Sequence, residues 1–419
     1  MNVEGTLRVP GDKSISHRAL MLSVLAEGTS RVRGLLRSAD VESTARVLRG
    51  LGATIPDSNG SEITVAGLGR GGLRAPASSL DCGNSGTSAR LLSGILAASP
   101  FVARLVGDPS LSERPMHRVA RPLRAMGARV DFEREDGLPM TIHGGALRGL
   151  TWFSETASAQ VKSAILLAGL IADVPVEVHE PAPTRDHTER MLRGRGVDVR
   201  TEGNTVTLVP GGRLDAADIE VPGDPSSAAF FAALAALAQG GSLGLEQVCT
   251  NPSRIGSFRV LARMGARVSY DDVTEQAGEP VARIVVAPGR LEGTAIGADE
   301  VPSLIDELPV LACIAARASG ETRVTGAAEL RVKESDRIAV IVSNLRRVGA
   351  DAHELPDGFV VRGSDRPYRG SVNAQGDHRI AMAFGVLGAL DGNVITVDDR
   401  ECVNVSYPGF WSDIDRVRC

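Results

Sequence analysis

Aromatic side chains are scarce: nine Phe, three Tyr and two Trp make up 3% of 419 residues. Basic residues do not outnumber acidic ones either, since 46 Lys and Arg stand against 51 Asp and Glu, a formal net charge of −5. Nucleic-acid binders rely on stacking rings and a positive surface, so no nucleic-acid partner is expected. The five cysteines, Cys82, Cys249, Cys313, Cys402 and Cys419, are odd in number and lack ligand-like spacing. That argues against a disulfide framework and a thiolate metal site, and suits a reducing cytosol. The longest apolar run, Ala228 to Ala238, falls far short of the ~20 residues of a membrane span. Met1-Asn2-Val3-Glu4-Gly5 shows neither the basic head nor the apolar core of a leader. A cytoplasmic protein without a membrane partner is therefore expected. Hydrophobic residues at 43% and charged residues at 23% are ordinary globular values, and the length suits two domains of roughly 200 residues.

What the chain has in abundance is repetition. A small polar turn leads into an apolar helix at Gly11-Asp-Lys-Ser, Gly83-Asn-Ser-Gly-Thr, Thr156-Ala-Ser-Ala-Gln, Gly223-Asp-Pro-Ser-Ser, Ser303-Leu-Ile-Asp-Glu and Gly376-Asp-His-Arg, roughly 70 residues apart. A second marker, in which a helix ends on a glycine and runs into a strand, recurs at Leu48-Arg-Gly-Leu-Gly-Ala, Leu123-Arg-Ala-Met-Gly-Ala, Leu192-Arg-Gly-Arg-Gly-Val, Leu261-Ala-Arg-Met-Gly-Ala and Leu345-Arg-Arg-Val-Gly-Ala. Its sixth copy would fall at Trp411 to Cys419. Alternating segments such as Glu62-Ile-Thr-Val, Arg129-Val-Asp-Phe, Thr205-Val-Thr-Leu-Val, Ala282-Arg-Ile-Val-Val and Gly358-Phe-Val-Val read as strands. Each unit is thus strand, helix, strand, helix, then strands, an α/β pattern with three units in each of two domains. The nearly uncharged helices Ala19 to Ala26 and Ala228 to Ala238 are expected to be buried. No linker divides the chain, and one domain crossing is expected at Val221-Pro-Gly-Asp224.

The turns ahead of the apolar helices gather donors for anions. Gly11 to Arg18 holds Lys13, Ser14, Ser16 and Arg18 where helix N–H groups and the helix dipole would meet a phosphate or carboxylate. The competing reading is a solvent-exposed helix start capped by Ser14 or Ser16. The second turn adds Asn84, Gly86, Thr87 and Arg90, followed by Glu113-Arg114-Pro115; the third adds Ser158, Gln160 and Lys162, followed by Arg185-Asp-His-Thr-Glu189. Later turns give Asp306, Lys333-Glu-Ser-Asp-Arg337 and Asp377-His-Arg379. Any one arginine could be an ordinary ion pair, but so many cations in an acidic protein call for an anionic ligand to offset their repulsion. Glu334, beside Lys333, and Asp306, among apolar neighbours, are the candidate acid and base; a helix-face charge and a helix-start carboxylate are the plainer alternatives. Gly67-Leu-Gly-Arg-Gly-Gly72 does not open a long helix and reads as a turn. Gly11-Asp-Lys-Ser lacks the upstream glycine of a Walker loop. The seven histidines show no ligand spacing, so no metal is indicated.

Taken together, Lys-Ser-x-Ser-His-Arg at 13 to 18, Gly-Asn-Ser-Gly-Thr at 83 to 87, Glu-Arg-Pro at 113 to 115, Ser-Ala-Gln-Val-Lys at 158 to 162, Arg-Asp-His-Thr-Glu at 185 to 189, Arg-Val-Lys-Glu-Ser-Asp-Arg at 331 to 337 and Asp-His-Arg-Ile-Ala-Met at 377 to 382 resemble the 5-enolpyruvylshikimate-3-phosphate synthase family. The likeness covers essentially the whole chain, and the Ser-Ala-Gln and Arg-Asp-His-Thr-Glu forms resemble the second of the family's two sequence classes. The resemblance implies a two-domain inside-out α/β barrel, each domain three βαβαββ units around buried helices. One domain would be residues 13–221 and the other 1–12 with 222–419, with the active site in the cleft between them. It implies transfer of the enolpyruvyl group of phosphoenolpyruvate to the 5-hydroxyl of shikimate 3-phosphate in aromatic amino-acid biosynthesis, without metal or organic cofactor. Lys13, Ser14, Arg18, Ser158, Gln160, Arg185, Asp306 and Lys333 would hold shikimate 3-phosphate. Lys13, Gly86, Arg114, Gln160, Arg337 and Arg379 would hold phosphoenolpyruvate. Glu334 would act as acid and Asp306, with Lys13, as base. A monomer is expected.

Two departures stand out. Many members carry a lysine near the C-terminal Ser/Thr-aromatic-Pro motif, where this chain has Val405-Ser-Tyr-Pro408, and Asn251-Pro-Ser-Arg254 replaces the usual Asn-Pro-Thr-Arg. The nearest rival is an enolpyruvyl transferase acting on a UDP-sugar. That group carries Lys-Asn where this chain has Lys13-Ser14, and a loop cysteine where it has Leu111-Ser112. More distant rivals are a non-catalytic anion-binding protein and a nucleotide-dependent phosphate cyclase.

Overall fold

Glycine supplies the left-handed conformation that stops the second helix of a unit, and the five markers bear this out: φ is positive at Gly52, Gly127, Gly196, Gly265 and Gly349. At the sixth position there is a helix, Phe410–Val417, but it ends on Arg418 with neither the glycine stop nor a following strand. Strands occur where alternation places them, at Glu62–Ala66, Arg129–Phe132, Thr205–Leu208, Glu279–Ala287 and Gly358–Arg362. The structure is a computed structural model, describing residues 1–57 and 62–419, and the fold is mixed α/β. Among the described residues no helix is long and apolar enough to cross a membrane.

The chain divides into two units. The N-half comprises Gly11–Val221 and Gln276–Glu279, and the C-half Met1–Pro10, Pro222–Glu275 and Pro280–Cys419. Within the N-half, strand Leu80–Asp81 pairs in parallel with Val102–Val106, which pairs antiparallel with Met140–His143, which pairs antiparallel with Arg129–Phe132. The same order recurs in Leu150–Phe153, Val176–His179, Thr205–Leu208 and Val199–Glu202. The first sheet borrows its parallel strand from far along the chain, Ile219–Glu220 beside Thr29–Arg33, with Glu62–Ala66 antiparallel on the other side. In the C-half, Asn2–Leu7 lies parallel to Gly240–Cys249 in the first sheet, Ala295–Ile296 lies parallel to Glu321–Val324 in the second, and Arg369–Val372 pairs in parallel with Val394–Val397 in the third.

A parallel pair needs a crossover, and in the second and third units of each half that crossover is a helix with little surface of its own. Every residue of Pro225–Ala236 and of Leu308–Ala315 is buried, as is most of Lys13–Leu25, Gly86–Ala97, Ala159–Ala172 and His378–Gly388. In the N-half, helix Gly86–Ala97 packs on both Lys13–Leu25 and Ala159–Ala172; in the C-half, Pro225–Ala236, Leu308–Ala315 and His378–Gly388 pack on one another. Buried on nearly all faces, these helices need no polar stripe: beyond their first two turns they read mostly as Ala, Leu, Ile, Val and Phe.

Contact between two such helices requires small residues. A Cβ built on Gly94 would lie 2.1 Å from the carbonyl oxygen of Ala164, a backbone atom that cannot swing aside. Gly94→Ala is therefore expected to cost about 1–3 kcal/mol by overpacking, read as a lower urea midpoint with the slope of the transition unchanged.

Candidate active site

A helix with a buried barrel has solvent-accessible polar groups only at its ends, and the N-terminal end carries orphan N–H donors that something must satisfy. Asp12, Ser85 and Ser158 do so in the N-half, accepting from the N–H of Ile15, Ser88 and Val161. Asp224 and Asp377 do so in the C-half, accepting from Ser226 and Arg379. The cap at the first turn is thus Asp12 and neither Ser14 nor Ser16; Ser16 is buried, and its hydroxyl accepts from the N–H of Leu36.

In the N-half, Gln160 ties the third turn to the second. Its Nε2 donates to Thr87 Oγ1 at 3.0 Å and its Oε1 accepts from Arg90 Nη1 at 2.8 Å. Arg114 Nη2 donates to Asn84 Oδ1 at 2.7 Å. Both guanidiniums converge on Gly86: a Cβ there would lie 2.9 Å from Arg90 Nη1 and 3.5 Å from Arg114 Nη1. Lys13 Nζ is 3.0 Å from Asp40 Oδ2. Arg18, only 4% exposed, donates to three neutral oxygens: Thr188 Oγ1 (2.7 Å), Ser163 Oγ (2.9 Å) and the carbonyl of Ser14 (2.9 Å). Desolvation pulls its pKa down to about 10; Glu189 and Asp12 oppose the shift and Arg185 adds to it. It stays charged at neutral pH, but an anion among these oxygens would relieve a desolvation that neutral partners leave in place.

In the C-half the centre is Arg337, whose side chain is 1% exposed. Its Nε donates to Asp377 Oδ2 at 2.8 Å, its Nη2 to Glu334 Oε2 at 2.6 Å and its Nη1 to Asp306 Oδ1 at 3.3 Å. Burial alone would lower its pKa, but Asp377 and Glu334 more than offset that and hold it above the ordinary arginine value. Asp306 also faces Lys333 Nζ at 3.8 Å and Arg379 Nη2 at 4.0 Å. Desolvation, with Arg337 adding, pushes the Lys333 ammonium down, while Asp306 and Glu334 oppose it. Arg379 also donates to the Asp306 carbonyl at 3.3 Å. The fifth turn departs from the others. Two 3₁₀ turns, Val301–Ser303 and Ile305–Glu307, precede helix Leu308–Ala315, and no side chain caps it. Asp306 does stand at this helix start, in the 3₁₀ turn that leads into it, but its side-chain oxygens are turned to the cations rather than capping the helix.

Lys333, Glu334, Arg337, Arg379 and Asp306 thus form one C-half cluster, while Lys13, Ser14, Gly86, Arg114, Ser158, Gln160, Arg18 and Arg185 lie at the N-half turns or the loop after the third. The expectation of unoffset cation repulsion needs correcting in the C-half, where Asp306, Glu334 and Asp377 match the charges of Lys333, Arg337 and Arg379. Sequence reasoning missed the part of Asp377, which caps a helix and holds Arg337 with the same carboxylate. It also left Arg90 off the binding set. Helical spacing from Gly86 was the available signal for Arg90; Asp377 gave none, since a capping acid looks like nothing more.

The sequence model of the EPSP synthase (3-phosphoshikimate 1-carboxyvinyltransferase) family matches residues 1–414. A 3-phosphoshikimate 1-carboxyvinyltransferase of Sulfurihydrogenibium sp. (strain YO3AOP1) is 49% identical over 421 residues, covering 99% of this chain and 97% of the relative. That of Alkalilimnicola ehrlichii (strain ATCC BAA-1101 / DSM 17681 / MLHE-1) is 50% identical over 409 residues, covering 97% and 92%. Among solved structures, EPSP synthase from Acinetobacter baumannii aligns with a TM-score of 0.88 at 46% identity, covering 99% of this chain and 96% of that one. These likenesses place the chain among the transferase enzymes. More narrowly, it belongs to the EPSP synthase family.

One buried group of the Lys13 helix has a pH signature. His17 Nδ1 and Thr44 Oγ1 are hydrogen-bonded at 2.6 Å, Thr44 Oγ1 and Ser88 Oγ at 2.6 Å, and Ser88 donates to Ser85 Oγ at 2.8 Å. Burial, with Lys13 and Arg18 beside it, pushes the imidazole well below its ordinary value. A base kept neutral in the fold takes up its proton on unfolding. Its stabilisation is therefore complete above the ordinary imidazole pKa of about 6.5 and is lost as pH falls below it, by up to ~1.4 kcal/mol per pH unit. Denaturation midpoints measured from pH 7 to pH 5 should fall less steeply in His17→Asn, which keeps a polar partner for Thr44, than in the unaltered protein.

Proposed function

We infer that the chain transfers the enolpyruvyl group of phosphoenolpyruvate to the 5-hydroxyl of shikimate 3-phosphate and releases phosphate, a step of aromatic amino-acid biosynthesis. The match to the EPSP synthase family over residues 1–414 carries this conclusion. The UDP-sugar alternative is not favoured, because the matching relatives are 3-phosphoshikimate 1-carboxyvinyltransferases. A monomer in the cytosol, with both clusters serving one pair of substrates, completes the reading.

The residue roles belong to the same proposal. Lys13, Ser14, Arg18, Ser158, Gln160, Arg185, Asp306 and Lys333 hold shikimate 3-phosphate. Support comes from Arg18, a desolvated guanidinium among hydroxyls, to which a phosphate would supply the missing negative charge. Lys13, Gly86, Arg114, Gln160, Arg337 and Arg379 hold phosphoenolpyruvate. Gly86 suits this because its missing side chain leaves the approach to Arg90 and Arg114 open.

In the reaction the 5-hydroxyl oxygen bonds to C2 of phosphoenolpyruvate while its proton passes to Asp306, assisted by Lys13. Glu334 gives a proton to the methylene carbon, which becomes a methyl group. The resulting tetrahedral intermediate then loses a methyl proton to Glu334 as the C2–O bond to phosphate breaks, and the proton on Asp306 goes to the departing phosphate, so the carbon–carbon double bond and both acids are restored. Glu334 rests against Arg337 at 2.6 Å. A substrate carboxylate that engages Arg337 would loosen that contact, and its negative charge would favour the acid form that proton delivery needs. Arg114, Arg337 and Arg379 stabilise the charge that gathers on the carboxylate and the departing phosphate.

Purified protein should release inorganic phosphate only when both substrates are present. In deuterium oxide the passage through a methyl group should leave deuterium in the product methylene. Glu334→Gln should lower kcat by about 10²–10⁴ with the KM for shikimate 3-phosphate little changed; near-normal turnover would remove Glu334 from the acid role.

A further inference from the structure

Lys162 has no part in the roles above, yet it is among the most deeply buried cations of the N-half. Its side chain is 2% exposed and lies between two acids that are buried as completely, Glu180 at 4% and Glu189 at 1%. Nζ is 2.6 Å from Glu180 Oε2 and 2.7 Å from Glu189 Oε1. Burial alone would lower the ammonium pKa, but Glu189 and Glu180 more than offset this and raise it, so the group is a fixed cation.

The positions of the two acids along the chain give the arrangement its meaning. Glu180 directly follows strand Val176–His179, and Glu189 lies in the first turn of helix His187–Arg193. Between them runs Pro181-Ala-Pro-Thr-Arg-Asp186, the loop that carries Arg185. Glu180 uses its second oxygen as well: Oε1 accepts from Thr184 Oγ1 at 2.6 Å, one residue before Arg185. Ser163, next to Lys162 on helix Ala159–Ala172, is hydrogen-bonded to Thr188 Oγ1 at 2.7 Å, and Arg18 donates to both hydroxyls. The helix that presents Ser158 and Gln160 therefore grips both ends of the Arg185 loop through the adjacent residues Lys162 and Ser163.

We propose that Lys162 is a positioning residue which, through Glu180, Thr184 and Glu189, sets the place of Arg185 for the phosphate of shikimate 3-phosphate. The inference rests on the reading of Arg185 given under Proposed function. Net stability is a poor account of the arrangement, because removing three charges from water costs much of what their attraction returns, and apolar replacements of buried ion pairs are often neutral. What the trio supplies beyond an apolar plug is direction at Glu180, whose two oxygens accept from Lys162 and Thr184, with Glu189 close by in ion-pair contact at 2.7 Å. The prolines at 181 and 183 narrow what the loop can do between its two anchors.

The test uses the full chain and steady-state kinetics for each substrate in turn. Lys162→Met alone would strand two buried carboxylates, so the informative variants are Glu180→Gln and the charge-free Lys162→Met/Glu180→Gln/Glu189→Gln, each also combined with Arg185→Ala. We expect both to raise the KM for shikimate 3-phosphate by about tenfold, with kcat and the KM for phosphoenolpyruvate within about twofold. Added to Arg185→Ala, they should change the KM for shikimate 3-phosphate little further, as for residues acting through one another. If the triple variant does not fold, Glu180→Gln alone decides, since it keeps the Lys162–Glu189 pair. An unchanged KM for shikimate 3-phosphate in a folded variant, equal losses for both substrates, or full additivity with Arg185→Ala would overturn the proposal while leaving Arg185 in its role. An unchanged KM in Arg185→Ala alone would overturn the reading of Arg185 and this inference with it.

Discussion

A helix buried along its whole length can carry chemistry only at its ends, and the rest of this structure follows from that constraint. Six apolar helices fill the interiors of the two units. Their side chains are spent mostly on packing, so the polar residues collect in the turns that precede them and in their own first two turns. There the orphan N–H groups demand an acceptor, and Asp12, Ser85, Ser158, Asp224 and Asp377 provide it. The same turns bring Lys13, Gly86, Gln160 and Arg379 to the N-terminal ends of helices, where the dipole favours negative charge. Repetition of one unit thus yields several anion-directed turns without any of them being specified separately.

The cations at those turns are held in two ways. In the C-half, Arg337 is enclosed by carboxylates on three sides, and its charge is matched before any ligand arrives. In the N-half, Arg18 is enclosed by hydroxyls and a carbonyl, and its desolvation is left standing. A matched guanidinium is rigid and can exchange a partner; one surrounded by neutral oxygens gains a full opposite charge when an anion binds. In the proposed reaction Arg337, with Glu334 and Asp306 attached, is the centre at which binding and proton movement would be coupled.

Much of this was legible because the signals are local. The glycines after Leu48, Leu123, Leu192, Leu261 and Leu345 need only their own φ to stop a helix, and the alternating segments need only two faces of different polarity. The turn motifs were legible for the same reason: a cap, a glycine and a cation lie within a few residues of one another. What stayed hidden depends on partners distant in sequence. Nothing in Ile219–Glu220 says that it lies beside Thr29–Arg33, or in Asn2–Leu7 that it lies beside Gly240–Cys249. Nor could Asp377 be seen to serve Arg337, because one oxygen pair both caps a helix and accepts from a guanidinium 40 residues away. Asp306 could be singled out as a candidate base because it sits among apolar residues, but which cations it faces depends on the 3₁₀ turns that lead into the helix and on residues about 30 to 70 positions away.

The pairing of Asn2–Leu7 bears on how the chain is made. A ribosome delivers this strand before Gly11–Val221, but its parallel neighbour Gly240–Cys249 is synthesised only after the whole of that stretch. Val3 also bridges to Arg418, and Asn2 and Cys419 exchange backbone hydrogen bonds, so its other edge waits for residues still further along the chain. The N-half can assemble once Ile219–Glu220 has joined Thr29–Arg33, whereas the C-half must keep its earliest segment unpaired throughout. Order of emergence therefore separates the two units: Gly11–Val221 holds both strands of its long-range pair before Gly240–Cys249 is made, whereas the other unit needs segments from both sides of that stretch.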